Sequence, residues 1–165
     1  MGKKWSIPVC VGVTVAVGIL LWWLYARFPN PVTAILAPIT GSPWETGKLI
    51  FWPYIAGALL EWKISGGTGS RSGHCMILVL MPLLLTALCW LGPAFPVAVV
   101  WLTVLSVGAA LYAFVLRRRL WGGELLWYTL AILLGIAYLL FTVLPPMGGP
   151  FTDSADVSAM GTIPY

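Results

Sequence analysis

The chain has 165 residues, of which 60 % are hydrophobic and only 8 % are charged. A soluble domain has about 25 % charged residues and, at this length, leaves roughly a third of its surface in water. This composition excludes soluble enzymes, disordered tails and disulfide-stapled secreted domains, and it predicts an integral membrane protein.

Five apolar stretches are each long enough to cross a bilayer as a helix, which takes ~20 residues. None shows the alternation of apolar and polar residues that a transmembrane β-barrel requires. We therefore predict an all-α integral membrane protein, a bundle of five transmembrane helices forming a single membrane domain over residues 1–165. The predicted spans are about 6–26, 43–62, 75–91, 97–116 and 125–144, and the tail 145–165 follows them.

The net charge of +4 is unevenly distributed along the chain. If all five stretches cross, seven cations fall on one side of the membrane and two on the other. The seven are Lys3, Lys4, Lys63, Arg71, Arg117, Arg118 and Arg119, and the two are Arg27 and Lys48. The positive-inside rule then places the N-terminus in the cytoplasm and the C-terminus outside. The predicted localisation is the cell membrane, multi-pass, with the lipid bilayer as a partner and no nucleic acid bound.

The chain is rich in tryptophan, with ten in all. Eight of them fall near a predicted span end, as in the aromatic belts of membrane proteins. Trp52 lies deeper, within the second span. A deep tryptophan either packs against neighbouring helices or stacks on a ligand, and both interpretations stay open.

The second span opens with the sequence Ser42-Pro43-Trp44-Glu45, which has the pattern of a capping box with proline at the first helical position. Lys48 follows Glu45 on the same helix face, so the two side chains can pair. Pro53 frees the carbonyl of Leu49 and should kink the helix. Glu45 is therefore either a helix cap or, since charges within spans are often functional, part of a binding site.

The candidate polar site, ligand-binding or structural, consists of Trp44, Glu45, Lys48, Trp52 and Asp153 of the tail. Two further acids, Glu61 and Glu124, lie on the predicted inner side. Glu45 and Glu61 are separated by about 24 Å of helix and cannot form one acid–base pair. Glu124 opens the fifth span, where the helix dipole favours an acid.

Residue patterns typical of catalysis are missing from the sequence. The single histidine, His74, is predicted to be an interfacial residue, and no cysteine–histidine spacing suits zinc. No GxSxG motif occurs, and the three cysteines lie in apolar stretches. We predict no catalytic residues and no metal, assign no cofactor, and interpret the protein as non-enzymatic.

The connection between the first two spans, residues 27–42, is itself apolar and contains three prolines. We predict that it lies in the membrane interface or dips back into the bundle. Irregular backbone at that depth is tolerated only where protein covers it.

Two blocks of residues carry specific motifs. The first block is similar to a Ser-x-Trp-Glu-x-x-Lys-Leu motif and consists of Asn30-Pro31, Pro38-Ile39, Ser42, Trp44-Glu45, Lys48-Leu49, Pro53 and Glu61. The second is similar to a Pro-Pro…Phe-x-Asp…Gly-Thr tail and consists of Phe141, Thr142, Pro145, Pro146, Phe151, Asp153, Gly161, Thr162 and Tyr165. With these two blocks the chain resembles an uncharacterised family of small bacterial five-span membrane proteins.

The resemblance implies a five-span fold, in which the tail packs on the start of the second span, and it supplies no activity. The chain departs from the pattern at Thr40-Gly41, where the family has Asn-Glu, and at Thr46, where it has His. If relatives use that Glu/His set for metal or protons, this chain has lost most of it.

Three functions are compatible with these features. The protein binds or transports a small amphipathic molecule at an outer-facing site on the second span. Alternatively, it is an accessory subunit whose tryptophan-rich faces contact other membrane subunits, an interpretation that the lost polar residues favour. A third possibility is a resemblance to the tryptophan-rich sensory (translocator) proteins, which also have five spans, although their tryptophan and proline motifs are not evident.

Overall fold

A computed structural model of the protein describes residues 6–39, 41–64, 71–91, 100–109, 123–146 and 148–152. In these ranges every regular element is a helix and no β-strand occurs, which confirms the all-α prediction for this part of the chain. In chain order they are α1 (Ser6–Arg27), α2 (Pro31–Leu36), α3 (Pro43–Thr46), α4 (Lys48–Ile64), α5 (Arg71–Leu91), α6 (described over Val100–Ala109), α7 (Glu124–Val143) and a 3-10 turn (Gly149–Phe151).

Three helices are long and apolar enough to cross a membrane: α1 over Pro8–Arg27, α5 and α7. They correspond to the first, third and fifth predicted spans, and they support the prediction of a membrane protein. The predicted number of five is not reached among the described residues. The second stretch is divided into α3 and the 17-residue α4, and the fourth is described only over Val100–Ala109.

The division of the second stretch occurs at Gly47. Its N–H donates to the Trp44 carbonyl at 3.1 Å, and its own carbonyl accepts from Ile50 N at 3.1 Å, so the helix tightens locally to 3-10 bonding. A Cβ on Gly47 would overlap the Tyr138 hydroxyl and lie 2.9 Å from Thr86 Oγ1. Glycine is therefore required here because α5 and α7 both approach the backbone.

Helix α4 lies at the centre of the described bundle and is covered on two faces. Its Ile50 and Tyr54 join a cluster of buried side chains from α1, α5 and α6. Its Phe51 joins a second cluster with Leu134 and Tyr138 of α7. A helix covered on several sides is expected to be apolar all round, as α4 is between its charged ends.

Helix α1 meets α4 through a narrow stripe of small residues spaced four apart: Cys10, Thr14 and Gly18. A Cβ on Gly57 of α4 would lie 2.7 Å from the Cys10 carbonyl oxygen, and one on Gly18 would lie 3.2 Å from the Leu49 carbonyl oxygen. Small residues let helix backbones approach in this way. Because Cys10 meets the later part of α4 and Gly18 the earlier part, the two helices run antiparallel.

Side-chain contacts define the direction of the remaining helices. Helix α5 returns antiparallel to α4, since His74 lies against Glu61 near the junction of the two helices. Helix α7 runs parallel to α5, since Cys75 and Tyr128 border the same cleft and Thr86 and Tyr138 both reach Gly47. We name the two ends of the bundle after their buried charged or titratable groups, the Lys48 end and the His74 end.

Candidate functional site

Lys48 forms the centre of a buried polar cluster. Its side chain has no exposed surface, and its Nζ lies 2.7 Å from Glu45 Oε2. The same ammonium donates to Thr142 Oγ1 of α7 at 2.6 Å and to the Ala34 carbonyl of α2 at 3.3 Å. An ammonium group has three protons, so each proton has an acceptor.

The cluster fixes the connection between α1 and α4. Helix α2 has only six residues, and the carbonyls of its last turn have no partners within the helix. Lys48 supplies a donor to Ala34, and Trp52 Nε1 donates to the Ile35 carbonyl at 3.1 Å. Glu45 Oε2 in turn accepts from Ile39 N at 3.1 Å. These bonds cover the polar backbone of the connection with protein, as a membrane requires.

Trp44 links the tail to the bundle. Its ring lies 4.9 Å from the Tyr138 ring, 5.5 Å from Phe141 and 5.1 Å from Phe151 of the 3-10 turn, measured between centroids. The described part of the tail therefore packs on the start of the second predicted span. Asp153 lies outside the described residues.

The structure thus brings four of the five candidate residues, Trp44, Glu45, Lys48 and Trp52, to one region. The predicted Ser42 cap is present, since Ser42 Oγ accepts from Glu45 N at 3.3 Å, and the predicted pairing of Glu45 with Lys48 forms. Lys48 has no exposed surface, and its donors are all engaged. This arrangement has the geometry of a clasp that holds α2, α3, α4 and α7 together.

A second polar group lies at the His74 end, and sequence reasoning did not find it. His74 Nε2 lies 3.1 Å from Glu61 Oε2, and His74 Nδ1 lies 3.0 Å from the Tyr54 hydroxyl. Glu61 is 2 % exposed. With the proton on Nε2, the imidazole donates to Glu61 and accepts from Tyr54. The His74 imidazole can therefore hold a proton between the buried carboxylate of Glu61 and the hydroxyl of Tyr54.

The signal that could have revealed this group is the hairpin formed by α4 and α5. Glu61 and His74 each lie three residues inside the ends that face the linker, so an antiparallel hairpin brings them together. Tyr54 lies two helical turns before Glu61, on the same face. The interpretation of His74 as an interfacial residue missed this pairing. Glu124 does open α7, and its side chain is exposed.

A cleft of about 340 Å³ lies beside this group, between α4, α5 and α7. Its apolar wall is formed by Ile55, Ala58, Leu59 and Leu78. Its polar and aromatic residues are Tyr54, Trp62, Arg71, His74 and Tyr128. Ligand sites in proteins are typically mostly apolar hollows of this order of size with a few convergent polar groups.

The described residues contain no group of three or more His, Cys, Asp or Glu side chains that could hold a metal ion. Comparison with protein-family models, curated proteins and solved structures finds no match to this chain. The resemblance to a five-span family therefore stays a prediction, and the site must be interpreted from its own chemistry.

Proposed function

We propose that this protein is a non-enzymatic, multi-pass protein of the cell membrane that binds or moves a small amphipathic molecule. The observation that carries the proposal is the cleft between α4, α5 and α7. It combines an apolar wall with the polar side chains of Arg71, Tyr54 and Tyr128. That combination suits a molecule with one polar and one apolar part.

The proposal moves the site away from the residues that the sequence favoured. Glu45 and Lys48 are buried, and the ammonium of Lys48 already has three acceptors. A ligand could bind the ammonium only by replacing one of those bonds. The clasp is thus assigned to structure, and ligand binding is assigned to the opposite end of the bundle.

Five crossings, with the N-terminus in the cytoplasm and the C-terminus outside, are part of the same proposal. Helices α5 and α7 run parallel, so if both cross, the chain between them must return across the membrane. The α6 segment Val100–Ala109 is the apolar part of that return that the structure describes. Lys63 and Arg71 lie at the His74 end, which favours the cytoplasmic side for that end.

The test is native mass spectrometry of the protein extracted gently from its own membrane. We expect a small-molecule adduct on the wild-type chain. Cys75→Trp, which fills the cleft, should remove it. Cys89→Trp is the matched control, because it places the same side chain at another half-buried cysteine of α5 that does not line the cleft. Size-exclusion chromatography verifies that both variants stay monodisperse.

The same experiment separates the accessory-subunit alternative. A stoichiometric co-purifying polypeptide on a chain that carries no small molecule would support that alternative and contradict the proposal. An adduct that persists in Cys75→Trp as strongly as in Cys89→Trp would show that the cleft is not the site.

A further inference from the structure

We infer that the molecule bound in the cleft is an amphipathic anion, with its head group at Arg71 and its apolar chain along α4 and α5. This inference rests on the proposed function and deepens it by naming the ligand's chemistry. The shared chemistry is a carboxylate or phosphate on a hydrocarbon chain, from either a free acid or an anionic lipid.

Arg71 is the cation that lines the cleft among the described residues. Its guanidinium carbon lies 5.6 Å from the centroid of the Trp62 ring, an arrangement that holds the side chain at the cleft by cation–π attraction. No carboxylate of the described residues lies within ion-pair distance of it. The guanidinium can therefore present its fork of N–H donors to a carboxylate or phosphate.

Tyr128 supplies a second polar group at the cleft. It lines the same cleft from α7, and it is 36 % exposed. Its hydroxyl can donate to an anion that accepts from Arg71. His74 has both ring nitrogens engaged with Glu61 and Tyr54, so the head group is assigned to Arg71 and Tyr128.

Two acids bear on the charge of this end. Glu61 is buried and bonded to His74, whereas Glu124 is exposed and acts electrostatically on Tyr128 together with Arg71. Glu124 therefore opposes an anion that Arg71 attracts. Removing the carboxylate of Glu124 should strengthen anion binding, and this gives the inference a prediction of opposite sign.

The apolar part of the ligand is matched by the wall that α4 and α5 form. Ile55, Ala58 and Leu59 of α4 and Leu78 of α5 continue from Arg71 toward the middle of the bundle. A hydrocarbon chain on this wall keeps apolar contacts on both its protein and its lipid side. The head group stays at the His74 end, where Arg71 lies.

The test uses three photoreactive dodecyl probes that differ only in the head group: a carboxylate, an alcohol and a quaternary ammonium. The full chain is reconstituted in phosphatidylcholine vesicles, and labelled peptides are located by mass spectrometry. Labelling of the cleft is normalised to Ile132 and Ile136 of α7, which are exposed apolar side chains. This normalisation corrects for the different partitioning of the probes into lipid.

We expect the carboxylate probe to label the cleft roughly fivefold more than the other two, the ratio given by an ion pair of about 1 kcal/mol at a partly exposed arginine. Arg71→Gln should reduce this ratio to one, and Arg71→Lys should keep part of it. Glu124→Gln should increase it. Lys63→Gln is the control, because Lys63 is an exposed cation at the same end that does not line the cleft.

Each outcome decides the inference. Equal labelling by all three probes, unchanged in Arg71→Gln, would overturn the anion and leave the binding cleft standing. Cleft labelling no greater than that of Ile132 and Ile136 for every probe would overturn the proposed function itself. Competition by phosphatidylglycerol assigns the head group to a lipid, and competition by dodecanoate alone assigns it to a free acid.

Discussion

At the scale of single residues, the buried ion pair of Glu45 and Lys48 needs further hydrogen bonds to be stable. An ion pair removed from water loses much hydration free energy, and it persists only where further hydrogen bonds satisfy both partners. Here those bonds come from Ile39, Ala34 and Thr142, which belong to different segments. The pair therefore stabilises the fold in two ways: the two charges attract each other, and their hydrogen bonds join separate segments of the chain.

Lys48→Met should destabilise the protein by about 3–5 kcal/mol, because it leaves Glu45 as a buried, unpaired carboxylate. The double variant Glu45→Gln/Lys48→Met should recover part of that loss. Equilibrium unfolding in mixed micelles measures both values. Lys63→Met, at an exposed lysine, is the control and should change little. Equal stability of Lys48→Met and wild type would contradict the clasp.

The Tyr54–His74–Glu61 group allows a similar comparison at the other end. Glu61→Leu leaves the His74 Nε2 without its partner and should cost about 1–3 kcal/mol of stability. Glu61→Gln keeps an oxygen acceptor in nearly the same place and should cost less. The same unfolding measurement ranks the two variants. If both variants lose stability equally, the hydrogen bond to His74 is not what stabilises this end.

These residues also mark how far the sequence could be interpreted. Glu45 and Lys48 were paired correctly because their spacing within one helix places them on one face. Glu61 and His74 were not paired, because their contact depends on the hairpin between two helices. The contacts of Lys48 and Trp52 depend on α2, because both side chains donate hydrogen bonds to its carbonyls.

At the scale of the elements, apolar length predicted some helices well and others poorly. The stretches 6–26 and 125–144 correspond to α1 and α7 within one residue at each end. Helix α5 begins four residues earlier than the predicted span, at Arg71, because its first turn is polar and apolar length does not detect it. Helix α2 was missed although Asn30-Pro31 is a typical helix start, and Asn30 does cap it.

The contact between α1 and α4 gives the prediction for this scale. Gly57→Ala should destabilise the protein by about 1–3 kcal/mol, because the new methyl group would overlap α1 backbone that cannot move independently. Gly12→Ala is the matched control. It lies on α1, and none of the described residues outside its own helix comes within 4 Å of the position that its Cβ would take, so the change should leave stability unchanged or raise it slightly. Unfolding of the two variants in mixed micelles measures the difference.

Equal stabilities of Gly57→Ala and Gly12→Ala would contradict the close approach of the two helices. The sequence contained the signal for this approach in the spacing of Cys10, Thr14 and Gly18. The sequence could not show which helix this stripe contacts, because Gly57 of α4 comes next to it only in the assembled bundle. Small-residue spacing predicts a close contact, and the partner comes from tertiary structure.

At the scale of the whole molecule, helix direction and charge together bear on topology. Helices α1, α4 and α5 alternate in direction, and α7 runs parallel to α5. Successive crossings of a membrane would produce this order if α6 also crosses. The composition predicts a membrane protein regardless of these directions, because that prediction depends only on how much apolar surface the chain carries. The number of crossings also depends on helices that are short or interrupted. The length of an apolar stretch alone does not show whether such a helix crosses.

Orientation can be measured with single cysteines in a variant whose Cys10, Cys75 and Cys89 are replaced by alanine. Arg27→Cys lies at the end of α1, and Lys63→Cys lies in the last turn of α4. In right-side-out vesicles, we expect a membrane-impermeant maleimide to label the first directly and the second only after permeabilisation. The reason is that the two residues lie at opposite ends of the antiparallel α1–α4 pair.

A second pair tests the return between α5 and α7. Leu91→Cys, at the end of α5, should react like Arg27→Cys, and Glu124→Cys, at the start of α7, should react like Lys63→Cys. Reaction of both from the same side would remove the fourth crossing and with it the five-span topology. A complete exchange of sides would keep five crossings and place the His74 end, with its cleft, on the outer face of the membrane.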